Sequence, residues 1–351
     1  MNKQEFQSVH PPRANRWFGA LGTILALLPL VAVQAARPVD PPSVELTRGT
    51  NNVVAATVLD KPNLTHMKLR VDSLLSGTAE EAEFSVRAEE GAFGDLVIGQ
   101  RYLVAFTRVG SNDQFRDAKF LDPEGPRVLR LRGGRIATVF PDTPALRFLF
   151  SRARGDRQPS DRERLDAVLT LISEGGPRNQ AFAIEELYVR NELGPVFEAQ
   201  DIEVIKAALA RHDLPLQLRQ FLLDAAAKFP GGPAAPWLHE EHRKVLLRAG
   251  PQLDLVSAQA LLVVTALKGL ATANDARDLS VVLPMLGANS PSVVREALGV
   301  AHAMDQPATL VAVQQQLEAA MFEEGVHADT RRLLEQYVLG ELGVIDDEDA
   351  R

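Results

Sequence analysis

The chain has no cysteine among its 351 residues. Disulfide bonds, thiolate nucleophiles and cysteine-ligated zinc sites are therefore excluded, and so is a lipid anchor attached to an N-terminal cysteine. The sequence also lacks a Gly-x-Ser-x-Gly elbow, a glycine-rich phosphate loop and a histidine with an evident serine partner. These absences predict a non-enzymatic protein with no catalytic residues, no metal site and no cofactor. An enzyme whose site follows no known motif is the remaining alternative.

The first 35 residues have the layout of an export signal. Three basic side chains precede an apolar run at residues 17–33, and Ala35 and Ala36 supply the small residues of a cleavage site. We expect cleavage after Ala35 and a periplasmic or secreted protein, and the excess of arginine over lysine favours a bacterial source. A membrane anchor is the alternative, because the apolar run is near the lower length limit for a helix that crosses a bilayer.

Net charge indicates which partners the mature chain attracts. Cleavage removes three basic and one acidic residue, so 35 basic and 45 acidic side chains remain, with a net charge of −10. A chain of this charge has no overall attraction for phosphate backbones. The sequence therefore predicts no nucleic-acid partner, and no membrane contact beyond the signal segment.

Residues 44–150 show the period of two that is typical of strands. An apolar run at residues 53–59 is followed by segments beginning at Met67 and Phe84, in which apolar and polar side chains alternate. Later apolar segments flank a glycine turn at residues 133–134, which indicates a hairpin. Five or more short strands separated by turn residues predict a small antiparallel β-barrel or sandwich.

Three segments of this half carry a family resemblance: the first strand at residues 53–59, VDSLLSG at 71–77 and IGQRYLV at 98–104. They resemble the netrin-like domain of tissue metalloprotease inhibitors, and the resemblance implies an OB-type barrel. The inhibitors bind their target through an N-terminal cysteine, which this chain lacks, so the fold is expected to carry over without that chemistry. OB-type barrels that bind oligonucleotides use stacked aromatic side chains, which are sparse here.

After a charged segment at residues 151–163 the apolar period becomes 3.6, which is typical of helices. The short loops between the predicted helices favour antiparallel neighbours. Ten helices are predicted, at residues 160–173, 177–193, 201–212, 215–229, 236–249, 254–269, 274–287, 291–304, 306–320 and 327–342. The predicted divisions are a signal peptide at 1–35, an exposed segment at 36–43, a β domain at 44–150, a linker at 151–163, a helical domain at 160–343 and an acidic tail at 344–351.

The helical half repeats itself. Pro177, Pro215 and Pro291 each precede a helical segment, and they are spaced 38 and then 76 residues apart. Proline suits the first turn of a helix, where its missing N–H costs nothing. A period near 40 residues that contains two helices is typical of an α-solenoid.

The strongest unit is LSVVLPMLGANSPSVVREALG at residues 279–299, with a mid-helix proline at Pro284 and the pair Val294-Arg295. Leu218-Arg219 repeats the second part of this motif. The unit resembles a HEAT repeat, whereas two other pairs depart from the pattern. The resemblance implies an α-α superhelix of about five helix pairs, which would present a surface to another protein or an extended peptide.

Two arginines follow from the same resemblance. In HEAT repeats this arginine pairs with an acidic or amide side chain six positions earlier, which implies pairs of Arg219 with Asp213 and of Arg295 with Asn289. A structural ladder between repeats is therefore favoured over a basic stripe for an acidic ligand.

His239 and His242 form the only histidine cluster, and residues three apart share one face of a helix. Two imidazoles could bind one metal ion, but the spacing is not that of a zinc protease and no third ligand is evident. A solvated start of a helix is the preferred interpretation.

Other short motifs are interpreted as features of an exposed surface. Residues 154–156 spell Arg-Gly-Asp, the integrin-binding triplet, and residues 63–65 spell a glycosylation sequon. Both match by chance often. The carboxylate pairs at residues 89–90 and 185–186 are predicted to face solvent.

The sequence thus predicts a multidomain α and β protein, in which a small OB-like barrel precedes a HEAT-like superhelix. The expected function is an exported scaffold that binds another protein or an extended peptide. The alternative is an inhibitor-like or regulatory module whose β domain binds a protease or receptor.

Overall fold

A computed structural model describes residues 39–78, 81–111, 119–121, 124–131, 136–152, 159–250, 257–320 and 328–340. Four predictions lie outside the described residues: the signal peptide at 1–35, the glycine turn at 133–134, the Arg-Gly-Asp triplet at 154–156 and the acidic tail at 344–351. Within the described residues, none of the helices combines the length and the hydropathy that crossing a bilayer requires.

The N-terminal half contains a sheet, as predicted. The strands of the described residues are β1 Asn51–Asp60, β2 His66–Ser76, β3 Glu83–Arg87, β4 Arg101–Thr107, β5 Val109–Ser111, β6 Lys119–Leu121, β7 Arg127–Val128 and β8 Val139–Pro141. Six of them form one sheet in the order β1-β2-β3-β7-β4-β8, and β5 pairs with β6 separately.

The pairings of the larger sheet form a closed ring, because β1 pairs with β4 as well as with β2. β1 lies antiparallel to both neighbours, with Ala56 opposite Val71 on one side and opposite Tyr102 on the other. The pairing of Arg87 on β3 with Arg127 on β7 is parallel, whereas the other pairings of the ring are antiparallel. A ring leaves β1 and β4 without a free edge, which protects them from pairing with other chains.

Both faces of β1 are buried, and this explains its continuous apolar sequence. Val54 and Val58 contribute to the core inside the ring, together with Phe84 of β3. Val53 and Ala55 point to the other face and belong to a second core that is shared with helices. Alternate side chains of a strand point to opposite faces, so a strand buried on both faces loses the polar alternation.

The C-terminal half is helical, as predicted. The α-helices of the described residues are α1 Pro42–Leu46, α2 Pro144–Arg152, α3 Asp161–Glu174, α4 Gly176–Val189, α5 Ala199–Ala210, α6 Leu216–Ala226, α7 Pro236–Ala249, α8 Ala258–Ala273, α9 Leu279–Val282, α10 Pro291–Met304, α11 Gln306–Ala320 and α12 Ala328–Val338. Short 3-10 segments cover Asn191–Val196, Gly232–Ala234, Ala276–Asp278 and Leu283–Gly287.

Local sequence sets several of these boundaries. Ser160 caps α3 and exchanges hydrogen bonds with Glu163 in a capping box. Helix α10 begins at Pro291, which occupies its first turn. The segment around Pro284 was predicted as one helix at 274–287, but the α-helical part covers four residues and continues as a 3-10 helix. Proline removes an N–H donor from the helical ladder, which accounts for the change.

Alternate helices of the C-terminal half form a row. Helices α4, α6, α8, α10 and α12 contact one another in this order. Each also contacts the preceding helix of the chain: α3 on α4, α5 on α6, α7 on α8, α9 on α10 and α11 on α12. Each helix of the row therefore packs both within its own pair and against a neighbouring pair.

One core joins the sheet to the first helices. The ring of Phe140, next to β4, lies 5.2 Å from the ring of Phe182 on α4, and Phe150 on α2 lies 5.3 Å from Phe182. All three side chains are buried. The division of the chain at residues 151–163 stays a prediction, but the described residues on its two sides share this core.

The short helix α1 is fixed to α4 by buried polar groups. The backbone N–H and the hydroxyl of Ser43 donate to the carboxylate of Glu186, and Arg190 donates to the same carboxylate at 2.6 Å. Glu185 and Glu186 are buried, so the prediction that they face solvent is wrong. Burying a charged side chain costs free energy unless the charge is paired and hydrogen-bonded, as that of Glu186 is. The other predicted pair, Glu89 and Glu90, is exposed.

Candidate functional site

A strip of aromatic and charged side chains crosses the row of even-numbered helices. It consists of Tyr188 on α4, Phe221, Asp224 and Lys228 on or next to α6, Thr265 and Lys268 on α8, and Glu296 on α10. We call it the α4–α10 strip. At one end of the strip the rings of Tyr188 and Phe221 stack with centroids 4.4 Å apart. The ammonium of Lys228 lies 5.1 Å from the centre of the Tyr188 ring, within the distance of a cation–π contact.

The carboxyl groups of the strip are partly withdrawn from water. Burial raises the pKa of Asp224, and Thr265 and Lys228 oppose this effect. Burial also raises the pKa of Glu296, which Lys268 opposes. Both side chains are half-buried, and burial disfavours the charged form of a carboxyl group.

The strip combines features that favour binding of another molecule. Aromatic faces, half-buried carboxyls and two lysines alternate along four consecutive helices of the row. Tyrosine and phenylalanine are enriched at interfaces because they bury a large area at a small cost in side-chain entropy. These features make the strip the candidate contact surface of the described residues.

The histidine cluster lies at the packing of α7 against α8 and α9. His239 Nε2 lies 3.0 Å from the carboxylate of Asp278, and Arg243 donates to the other oxygen of that carboxylate at 3.0 Å. His242 is buried, and burial lowers its pKa to about 4. The ring of His242 packs directly against Gly269 of α8. The interpretation as a solvated helix start is therefore wrong for His242, which belongs to the interior.

The described residues contain no group of three or more His, Cys, Asp or Glu side chains that could hold a metal ion. His239 and Asp278 instead connect the third helix pair to the fourth, with Arg243 supplying the balancing charge. This is a structural use of the cluster.

Arg219 has a structural partner, but not the predicted one. Its guanidinium donates to the backbone carbonyls of Leu209 and Arg211, at the end of α5. Asp213 pairs with Arg211 instead, at 2.7 Å. A cation beside the last carbonyls of a helix satisfies groups that have no partner inside the helix. The predicted pair of Arg219 with Asp213 is therefore wrong, although Arg219 does connect α6 to α5.

The second predicted pair is also not formed. Arg295 is exposed on α10, and neither an ion pair nor a hydrogen bond joins it to Asn289 within the described residues.

The glycosylation sequon at residues 63–65 forms a turn: the side chain of Asn63 accepts from the backbone N–H of Thr65 at 2.9 Å. This asparagine lies exposed in the loop between β1 and β2.

Sequence reasoning missed the α4–α10 strip. Its residues lie on four helices, and periodicity within one helix does not show that Asp224 and Glu296 share a neighbour in Lys268. A partial signal exists in α8, where Lys268 follows the mostly apolar run at residues 260–267.

Comparison with known proteins finds no matching family model, no matching curated protein and no matching solved structure.

Proposed function

We propose that the chain is an exported, non-enzymatic interaction protein that binds an extended segment of another protein along the α4–α10 strip. In this proposal the sheet is a small OB-type barrel and the helices form a HEAT-like superhelix of five pairs. Export and cleavage after Ala35 belong to the same proposal, and they rest on the sequence of residues 1–35.

The finer description of the fold is supported by two observations. The ring β1-β2-β3-β7-β4, with one parallel pairing, is what a small Greek-key barrel requires. The five pairs from α3–α4 to α11–α12, which contact one another in chain order, are what a stack of two-helix repeats requires. In such a stack one row of helices lines the inner surface.

The observation that carries the functional proposal is the half-burial of Asp224 and Glu296 on the row of even-numbered helices, which also raises the pKa of both carboxyl groups. It favours a concave strip, in which a bound chain is flanked on both sides. An extended peptide has free backbone N–H and C=O groups, and half-buried carboxyls and lysine ammonium groups are suitable partners for both.

The test is a pull-down of the mature chain against the native periplasmic or secreted fraction, with mass spectrometry of the retained proteins, followed by variants of the full chain. Lys268→Glu and Glu296→Lys reverse charge within the strip, and Glu318→Lys on α11 is the matched control, because Glu318 is exposed and has no ion pair among the residues that the structure describes. We expect a partner that is lost with the strip variants, is kept by the control and is unaffected by a metal chelator. Retention of the partner by both strip variants would contradict the proposal.

A specific observation favours the alternative, in which the β domain is the contact surface. Val97, Ile98 and Leu64 are exposed. The two loops that hold them are joined, because the ammonium of Lys61 donates to the backbone carbonyl of Leu96 at 2.6 Å. This places three exposed apolar side chains in neighbouring loops at one end of the ring. Loss of the partner with Ile98→Asp, together with retention by the strip variants, is the outcome that selects this alternative.

A further inference from the structure

A cavity of about 500 Å³ lies between the sheet and the helices, away from the α4–α10 strip. One wall consists of residues 88–92 after β3, together with Arg127 and Arg130. The opposite wall consists of the first residues of α4 and the segment from Arg211 to Leu218 that leads into α6. Its volume is within the range of pockets that bind small molecules.

Four arginines line this cavity, and three of them already have acidic partners. Arg130 pairs with Glu89 at 2.5 Å and Arg211 pairs with Asp213 at 2.7 Å. The guanidinium of Arg178 pairs with Asp95 at 2.5 Å.

Arg178 is a fixed part of the wall. In addition to both oxygens of Asp95, it donates to the backbone carbonyls of Ala92, Ala137 and Val139. All of its donors are therefore occupied, and they connect the helix side of the cavity to the sheet side. A cavity with such a wall is formed before a ligand arrives, which lowers the entropy cost of binding.

Arg127 is the remaining cation. Within the described residues its side chain has no ion pair, although its backbone is held on both sides by pairing with Arg87 and Thr107. An unpaired guanidinium on a fixed strand, at the wall of a cavity, is suited to accept an anionic group. The starts of α4 and α6 line the opposite wall without side-chain caps, and their dipoles add to the positive potential.

Besides the arginines, the lining contains Glu89 and Asp213, which pair with Arg130 and Arg211, and also Glu90 and Gln180. The remaining side chains are apolar. Val128, Ile136, Ala181 and Leu218 face the cavity together with Pro215. A bare inorganic anion makes no use of these side chains, whereas a carboxylate attached to a small aliphatic group uses both the cation and the apolar wall.

We propose that this cavity binds a carboxylate that carries a small aliphatic side chain, with Arg127 as its ion-pair partner. Two sources share this chemistry, a free small carboxylic acid and the C-terminal residue of a peptide. The cavity is independent of the α4–α10 strip, so the two proposals succeed or fail separately.

The test is ligand-observed NMR on the full-length mature protein, with N-acetyl-leucine, its amide N-acetyl-leucinamide, the peptide acetyl-Ala-Ala-Leu and inorganic phosphate as probes. We expect N-acetyl-leucine to bind, and we expect the amide to bind at least five-fold more weakly because it lacks the charge. Tighter binding of the peptide than of N-acetyl-leucine assigns the cavity to a chain terminus, and the reverse order assigns it to a free acid.

The variant Arg127→Ala is expected to weaken binding of N-acetyl-leucine at least five-fold. Arg332→Ala is the control, because Arg332 is an exposed arginine on α12 that is also unpaired within the described residues. Melting temperatures of both variants equal to that of the wild type show that folding is intact. Absence of binding, equal binding of acid and amide, stronger binding of phosphate, or an unchanged affinity in Arg127→Ala each overturns the assignment.

Discussion

The carboxylate of Glu186 accepts two hydrogen bonds from Ser43, one from the backbone N–H at 2.8 Å and one from the hydroxyl at 2.5 Å. The two residues are 143 positions apart in the chain. Arg190 completes the group, because it donates to Glu186 and, at 3.1 Å, to the hydroxyl of Ser43. The start of the described chain is thus hydrogen-bonded to α4.

Replacing Glu186 by Gln removes the charge that balances Arg190 in the interior. We expect a loss of about 3 kcal/mol in the free energy of unfolding, since breaking a buried ion pair leaves one charge without compensation. Denaturant unfolding measures this loss. Glu192→Gln is the matched control: Glu192 also pairs with Arg190, but its side chain is 46% exposed, and we expect a change below about 1 kcal/mol. Equal effects of the two variants would show that burial of Glu186 is not the cause.

Substitution of glycine by alanine is expected to change stability in opposite directions at two helical positions. A Cβ atom at Gly269 of α8 would overlap the buried ring of His242, whereas a Cβ atom at Gly299 of α10 meets no neighbour within 4 Å. We expect Gly299→Ala to raise the melting temperature, because alanine is favoured over glycine in a helix by roughly 0.5–1 kcal/mol. Gly269→Ala is expected to destabilise the protein by about 1–3 kcal/mol through overpacking. Thermal unfolding of the two variants gives the sign of each effect, and a stabilising Gly269→Ala contradicts the packing of α7 on α8.

The buried His242 predicts a pH dependence of stability. Its pKa is lowered to about 4 by burial, from about 6.5 in an unfolded chain. Below pH 6.5 the unfolded state therefore binds a proton that the folded state does not bind until about pH 4. Stability is fully present above pH 6.5 and falls as the pH is lowered towards 4, by on the order of 3 kcal/mol.

Denaturant unfolding at pH 7, 6, 5 and 4 measures this loss as the difference between the wild type and His242→Gln. The variant is expected to have a shallower decline over the window, because it has no imidazole at this position. His212→Gln replaces an exposed histidine and is expected to follow the wild type. Parallel curves for all three proteins would show that His242 does not contribute to the decline.

The predicted elements agree with the structure where one helix or strand holds the information. The apolar run at 53–59 lies within β1, and the alternation from Met67 lies within β2. The helix predicted at 160–173 is α3, with its cap at Ser160. In these segments the periodicity of a single element determines both its type and its buried face.

The failures involve groups that are distant in the chain. Glu186 resembles a surface carboxylate in sequence, and its burial is explained by Arg190 together with the distant Ser43. The repeat pattern predicts a pair of Arg219 with Asp213, but Arg219 donates instead to backbone carbonyls at the C-terminal end of α5. Residues 144–150 are predicted to belong to the β domain as part of a strand-like pattern, but they belong to helix α2, whose apolar residues are buried against both the sheet and α3. Tertiary partners decide such positions, and no local pattern contains them.

The core that contains Val53 and Phe182 can be completed only late in synthesis of the chain. Val53 of β1 precedes Phe182 by about 130 residues, and both belong to the same core. At about 5–20 residues per second, the ribosome needs roughly 6–26 s to add that length of chain. During this interval the face of β1 that carries Val53 lacks α4, so part of its apolar surface is open to chaperones, or to other nascent chains, before this core is complete.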